Sequence, residues 1–140
     1  MLKNVPKIIS PELLKILSEM GHGDEIVIAD ANFPAHTYGQ RVVRADGIGG
    51  PELLSAILDL IPLDTYSAVN VMLMETTNGD PTPDIWEEYE DIAYSKDPNT
   101  KFGQLERYEF YERSKEAYAV IASGERAVYA NIILKKGVIK

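Results

Sequence analysis

The sequence predicts a single α/β domain over residues 1–140, built in three layers with a mixed, mostly parallel sheet flanked by helices. Three observations predict this fold class. The 140 residues are the length of one domain and are enough to bury a substantial core. Helical and strand patterns alternate along the chain. No internal repeat, low-complexity segment or linker composition divides it.

Four helices are predicted from capping signals and from apolar residues at the helical period. Ser10 and Pro11 open the first helix as N-cap and first helical residue, and Gly21 fits the position that ends it. Pro51 opens the second helix and Pro62 stops it. The expected helices are 11–20, 51–61, 83–94 and 110–116.

Six strands are predicted from short apolar or β-branched runs bounded by turn residues. The run at 117–122 is the clearest buried strand, and the run at 25–29 follows the first helix directly. The last two strands are joined by a short turn, so we expect them to form the antiparallel part of the sheet. The expected strands are 25–29, 40–45, 69–74, 105–108, 117–122 and 130–134.

The composition limits the kinds of ligand and partner that the protein is expected to bind. The net charge of −8 disfavours a surface for nucleic acid or for an anionic membrane, both of which require clustered Lys and Arg. The absence of cysteine excludes disulfides, a thiol nucleophile and Cys-based metal sites. The N-terminus lacks the apolar core of a signal peptide, and the longest apolar run, 117–122, is too short to cross a bilayer. A cytoplasmic protein is therefore expected.

Functional side chains are densest in the stretch 21–36, which holds both histidines of the chain. His22 lies between two glycines, and Asp30 stands at the end of a predicted strand, where open α/β sheets place their ligands. His22 can exchange a proton near neutral pH, and Asp30 can accept hydrogen bonds from hydroxyls. A solvated loop histidine and a turn aspartate are the alternatives.

A metal site made of His22, Asp30 and His36 is an alternative that the spacing does not favour. Seven residues separate His22 from Asp30 and five separate Asp30 from His36, which matches no zinc signature. No motif for nucleotide binding or for serine or zinc hydrolysis is present. Neither a metal nor a cofactor is predicted.

Two more segments carry polar groups suited to a small neutral ligand. Arg107, expected in a strand among aromatic residues, can bind a substrate oxygen or form a structural ion pair. Tyr129 and Asn131, just before the last strand, offer donors and acceptors for hydroxyls, or serve as core aromatic and turn residue. The residues alone thus lead to an acid/base site for a small polar ligand.

Four motifs distributed along the chain carry a family resemblance. They are Met-Gly-His-Gly-Asp-Glu at 20–25, Phe-Tyr-Glu-Arg at 110–113, Gly-Glu-Arg at 124–126 and Tyr-Ala-Asn at 129–131. With them the whole chain resembles the family of fucose mutarotases and ribose pyranases. Phe33 to His36 and Arg107 resemble the fucose branch, whereas Asn32 stands where a close fucose relative is expected to have His.

The resemblance implies a reaction and a role for each site residue. It implies interconversion of the α and β anomers of L-fucose, with D-ribose pyranase activity or non-catalytic monosaccharide binding as alternatives. His22 matches the family's proton donor, and a ring-shaped homodecamer of two pentamers, with sites between subunits, is implied. No nucleic acid or membrane partner is expected. The residues that match sugar-binding positions are Asp30, Arg107, Tyr129, Ala130 and Asn131, with Phe33 and His36 as candidates for specificity.

Overall fold

The computed structural model describes all residues 1–140 as five helices and six strands. None of the helices has the length and apolar character needed to cross a lipid bilayer. The elements, in chain order, are α1 Pro11–Glu19, β1 Glu25–Ala29, α2 Ala35–Tyr38, β2 Val42–Ala45, α3 Gly50–Leu58, β3 Val71–Met74, α4 Ile85–Lys96, β4 Phe102–Leu105, α5 Arg107–Glu116, β5 Ala119–Ser123 and β6 Ile132–Lys135.

The six strands form one mixed sheet in the order β2-β5-β1-β6-β3-β4. Strand β6 runs antiparallel to both of its neighbours, β1 and β3, and the other three pairings are parallel. The predicted sheet type is therefore confirmed. The expectation that the last two strands form the antiparallel part is wrong for β5. Strand β1 lies between β5 and β6. The connection from β5 to β6 passes the end of β1, where Ala31 N–H donates to the Glu125 carbonyl at 2.8 Å.

Both faces of the sheet are covered, so the domain has the three predicted layers. Side chains alternate between the faces along β1, with Ile26 and Ile28 in one apolar cluster and Val27 and Ala29 in the other. Helices α1, α3 and α4 contribute to the first cluster, and α2 and α5 contribute to the second. Because the four inner strands β5, β1, β6 and β3 are buried on both faces, they read in sequence as nearly continuous apolar runs.

Capping interactions explain which helix boundaries could be predicted. Leu13 N–H donates to Ser10 Oγ at 3.1 Å, which confirms the predicted start of α1. The expectation that Arg107 lies in a strand is wrong, because the Glu106 carboxylate accepts from Tyr108 N–H at 2.9 Å and thereby caps α5. The strand itself is the preceding segment, β4. Helix α2, a single turn after Pro34, was not predicted.

The Gly-Glu-Arg motif connects the end of β5 to the start of α3. Gly50 N–H at the first turn of α3 donates to Glu125 Oε1 at 3.0 Å, and Ala127 N–H donates to Glu125 Oε2 at 3.0 Å. Gly124 packs so closely on the Asp46 carbonyl oxygen that a Cβ at this position would overlap it. The anion at this helix N-terminus is therefore a side chain of the protein itself.

We expect Gly124→Ala to destabilise the fold by about 1–3 kcal/mol, because the added methyl must displace backbone rather than a mobile side chain. Urea unfolding at a fixed protein concentration would measure the loss. Gly47→Ala is the matched control, since a Cβ there meets no atom within 4 Å. Equal unfolding midpoints for the two variants would contradict the close packing of Gly124.

Candidate active site

A cavity of about 340 Å³ opens at the edge of the sheet where the parallel strands end. Its walls come from the segments that follow β1, β3 and β4 and from the segment that precedes β6. Because β6 is antiparallel, its amino end meets the carboxyl ends of β1 and β3. The topology therefore brings Asp30, Arg107, Tyr129 and Asn131 to one cavity, where ligands of α/β sheets bind.

Asp30 is a buried carboxyl group held by the ends of two strands. Its backbone N–H donates to Asn131 Oδ1 at 2.7 Å, and its Oδ1 accepts from Asn32 N–H at 2.9 Å. Burial raises the pKa of Asp30, and the hydrogen bonds from Asn32 and Asn131 oppose part of that rise. The side chain is oriented toward the cavity at the end of β1, as an anchor for hydroxyl groups requires.

The backbone at Tyr129 is held in a conformation that residues with a side chain rarely adopt. Its φ is 54°, which costs of the order of 1–3 kcal/mol and is characteristic of functional sites. Two aromatic side chains of α4 fix it, because Trp86 Nε1–H donates to the Tyr129 carbonyl at 2.8 Å and Tyr89 O–H donates to the Ala130 carbonyl at 2.9 Å. Ala130 itself is fully buried and does not line the cavity, so its contribution is through the main chain.

The Tyr129 hydroxyl is bonded to the loop that follows β3. It donates to Asp80 Oδ2 at 2.5 Å and accepts from Thr77 N–H at 3.2 Å, with Thr77 Oγ1 at 2.9 Å. Thr77 and Asp80 both line the cavity. Neither residue was identified from the sequence as part of the site.

Arg107 enters the cavity from the first turn of α5. Its Nε–H donates to Tyr111 Oη at 3.1 Å, and this hydrogen bond raises the pKa of the guanidinium. The two terminal guanidinium nitrogens bind no other protein group, so they are free to bind oxygens of a ligand. Tyr111 is a further cavity residue, which the sequence indicated only as part of the motif at 110–113 and not as a site residue.

One wall of the cavity is apolar. Phe33 is 9% exposed and packs edge-on against Phe110 and Tyr111, with ring centroids 5.9 and 5.5 Å apart. Met74 and Val128 add further apolar surface to the cavity lining. The role of Phe33 in specificity stays a prediction, and its position in the cavity lining is compatible with that role.

His22 lies at the other end of the sheet from this cavity. It precedes β1, whereas Asp30 follows β1, and a five-residue strand spans about 16 Å. Since β1 is a rigid strand at the centre of the sheet, one chain cannot bring His22 and Asp30 to the same small ligand.

His22 has a partner that the sequence did not reveal. Its Nε2 is 2.9 Å from Asp64 Oδ1; the His22 side chain is 47% exposed and that of Asp64 only 2%. The Ser67 hydroxyl, His22 and the backbone N–H groups of Tyr66 and Ser67 donate to the Asp64 carboxylate, which lowers its pKa well below the usual range. Asp64 is therefore ionised and fixes the ring of His22.

The structure does not assemble the candidate metal site of His22, Asp30 and His36. His36 is exposed on α2, outside the cavity lining, where its Nε2 lies 3.2 Å from Arg44 Nη1. No group of three or more His, Asp or Glu side chains is placed to hold a metal ion. The role of His36 in specificity stays a prediction.

Comparisons with known proteins show which family the chain belongs to. The sequence profile of the RbsD / FucU transport protein family matches residues 3–139. The chain is 51% identical to a fucose mutarotase of Mus musculus over 144 residues, covering 97% of this chain and 94% of that protein. It is 50% identical to a fucose mutarotase of Homo sapiens over 146 residues, with 99% and 94% covered.

A solved structure has the same fold. The fucose mutarotase of Streptococcus pneumoniae, crystallised in complex with L-fucose, superposes with a TM-score of 0.95 at 51% sequence identity, covering 99% of this chain and 100% of that one. These matches extend over the motifs that carry the resemblance in the sequence. The chain accordingly belongs to the RbsD / FucU transport protein family.

Proposed function

We propose that the protein is an L-fucose mutarotase, an isomerase that interconverts the α and β anomers of the free sugar in the cytoplasm. The observation that carries the proposal is the cavity in which Asp30, Arg107, Tyr129 and Asn131 converge beside an apolar wall. Relatives about half identical over nearly their whole length are fucose mutarotases, and one of them was crystallised with L-fucose.

The polar and the apolar residues of the cavity lining both suit a 6-deoxy sugar. Carboxylate, guanidinium, amide and phenol groups provide hydrogen bonds for several hydroxyls. Phe33, Met74 and Val128 provide an apolar contact for the C6 methyl group. Burying one methyl contributes about 0.8 kcal/mol, or about fourfold in affinity, which favours fucose over ribose.

The reaction requires only proton transfers. The ring oxygen O5 gains a proton while the anomeric hydroxyl loses one, and the C1–O5 bond opens to a free aldehyde. Rotation about C1–C2 then presents the other face of the aldehyde, and O5 adds back to it. A general acid and a general base are each worth about 10²–10⁴-fold, so two positioned groups suffice.

His22 is the proposed proton carrier for O5. The ionised Asp64 carboxylate accepts a hydrogen bond from Nε2–H, so Nδ1 is the ring nitrogen that takes up and delivers the proton. Asp64 thus sets the tautomer of His22. In the proposed complex, Asp30 and Asn131 hold hydroxyl groups, and Arg107 holds an oxygen of the open-chain sugar.

The proposed site is completed by a second copy of the chain. His22 and the cavity lie at opposite ends of the sheet, so a neighbour would have to dock its His22 end onto the cavity end of the first chain. Contacts between unlike surfaces of identical chains form closed rings when the rotation between neighbours closes, and open filaments when it does not. This supports the ring-shaped homodecamer of two pentamers that the family resemblance implies, with a mass of about 156 kDa from ten chains of 15.6 kDa.

We expect the wild-type protein to accelerate exchange between the two anomers of L-fucose, and His22→Ala to lose about 10²–10⁴-fold of that acceleration while still binding the sugar. Saturation-transfer NMR at the anomeric proton measures the exchange directly. An unchanged exchange rate in His22→Ala would remove His22 from the mechanism.

The same measurement separates the alternatives. Faster pyranose–furanose exchange of D-ribose, with no effect on L-fucose, would identify a ribose pyranase. Saturable binding of L-fucose without faster exchange would identify a binding protein.

A mixture of two slow variants tests whether each site uses two chains. His22→Ala and Asp30→Asn are each defective in a different half of the site. When they are co-expressed and assemble at random, about a quarter of the sites receive both intact halves, so we expect about a quarter of wild-type activity. Light scattering should first show the same assembly mass for both variants and the wild type. Activity no higher than that of the separate variants would place the whole site in one chain.

We expect Asp30→Asn to be more stable than the wild type at neutral pH. Burial raises the pKa of Asp30 above its ordinary value of 3.8, so between these two pKa values the folded chain holds a proton that the unfolded chain has lost. Stability therefore falls as the pH rises through this window and stays lowered above it. Asparagine does not ionise, so the difference between the two proteins should vanish below pH 3.8.

Urea unfolding midpoints at a fixed protein concentration, from acidic to neutral pH, would measure this difference. The exposed Asp84 provides the control, because Asp84→Asn should show no such gain. A midpoint of Asp30→Asn at or below the wild-type value at neutral pH would contradict the burial cost of Asp30.

A further inference from the structure

Lys135, the last residue of β6, begins a chain of hydrogen bonds that ends at His22. Its ammonium group donates to Ser67 Oγ at 2.7 Å, and the Ser67 hydroxyl donates to Asp64 Oδ2 at 2.6 Å. The other oxygen of this carboxylate, Oδ1, lies 2.9 Å from His22 Nε2. Lys135 therefore reaches the proposed proton carrier through two intervening side chains, and the reaction described above gives it no role.

The direction of the hydrogen bonds in this chain is determined by its donors. A lysine ammonium can only donate, so the Ser67 oxygen is the acceptor and its single proton is directed to Asp64. The backbone N–H groups of Tyr66 and Ser67 also donate to Asp64, at 3.2 and 3.1 Å. A positive charge at one end of the chain and an imidazole at the other thus act on the same carboxylate.

The other charged side chains around this loop are bonded elsewhere. Glu25 accepts from Arg113 at 2.6 and 2.8 Å, and Asp24 accepts from a backbone N–H of its own loop at 2.8 Å. The ammonium of Lys136 donates to two carbonyls at the end of α1, at 3.0 and 2.5 Å. Asp64 is left with two charged partners, the ammonium and the imidazole at the two ends of the chain.

One of these two partners changes its charge during the reaction. In the ring-opening step, Nδ1 of His22 transfers its proton to O5, the N–H electron pair stays on the ring, and the imidazolium becomes a neutral imidazole. Ring closure returns the proton to Nδ1. The side chain of Asp64 is only 2% exposed, and a buried carboxylate without a cation is strongly destabilised. A second cation that keeps its charge avoids this cost.

We propose that Lys135 is a positioning residue that serves, through Ser67, as the permanent counter-charge of Asp64, so that His22 can release its proton to the sugar. The proposal rests on the mutarotase function proposed above. The Lys135 ammonium takes no part in the proton exchange with the sugar, and it polarises the Ser67 hydroxyl toward Asp64. Without it, the imidazolium would be the only cation paired with Asp64 and would be held more tightly.

Lys135→Met is the direct test, because it keeps the length of the side chain and removes its charge. We expect the ratio of imidazolium to neutral imidazole at His22, at one fixed pH, to rise by about tenfold. Nitrogen-15 NMR of histidine-labelled protein measures this ratio, and the His22 signals are assigned by their loss in His22→Ala.

The kinetic effect should lie in kcat and not in KM. At the acidic plateau of each protein's own rate profile, kcat for L-fucose exchange should fall by about three- to tenfold in Lys135→Met, because the imidazolium is then a weaker acid. KM should change by less than about twofold, because Lys135 does not line the cavity that binds the sugar.

Two control variants separate the charge of Lys135 from a structural role. Lys135→Arg keeps the charge and should keep at least about half of wild-type kcat. Lys136→Met removes the charge of the neighbouring lysine, whose ammonium bonds carbonyls of α1, and should lower the urea unfolding midpoint while changing kcat by less than about twofold.

An unchanged imidazolium ratio in Lys135→Met, a Lys135→Arg protein as slow as Lys135→Met, or an equal loss of kcat in Lys136→Met would each overturn the proposal. Absence of wild-type exchange on L-fucose would instead refute the mutarotase function. The NMR ratio does not depend on that activity, so the two failures are distinguishable.

Discussion

The hydrogen bond from Asp30 N–H to Asn131 Oδ1 joins the end of β1 to the start of β6, and the cavity depends on it. It exists because β6 is inserted antiparallel between β1 and β3, so that its first residues lie among the carboxyl ends of parallel strands. The Asp30 carboxyl is thereby placed on one side of the cavity and Tyr129 on the other. The sheet topology, more than any single side chain, determines which residues can reach a common ligand.

The rigidity of this site comes from the larger apolar cluster, which packs on the face of the sheet that carries Ile26 and Ile28. Tyr89 is fully buried in α4, bonds the Ala130 carbonyl and packs directly on Gly50, where a side chain would overlap its hydroxyl. Gly50 in turn donates to Glu125, the residue that ties the loop after β5 to α3. Helix packing, the loop and the strained Tyr129 backbone therefore form one connected structure. A substitution that disturbs the packing of Gly50 should disturb the site as well as the stability.

Local signals in the sequence were sufficient for most of the fold, because proline caps and continuous apolar runs mark helices and buried strands. They did not predict the order of the strands, because no local pattern indicates that β1 lies between β5 and β6. For the site, His22 and Asp30 looked like one cluster because only seven residues separate them, yet those residues include a whole strand. Asp64 and Asp80 were not identified because each one contacts a site residue that is distant in sequence. Asp64 contacts His22, and Asp80 contacts Tyr129.

The separation of His22 from Asp30 across β1 also bears on when a newly made molecule becomes active. A chain that has just folded carries a finished cavity at one end of the sheet and a finished His22–Asp64 pair at the other, but no ligand can touch both. If the site is shared between copies, catalysis begins only when chains meet. The rate at which complete sites first form then rises with the square of the chain concentration, and the rate of folding alone does not determine it.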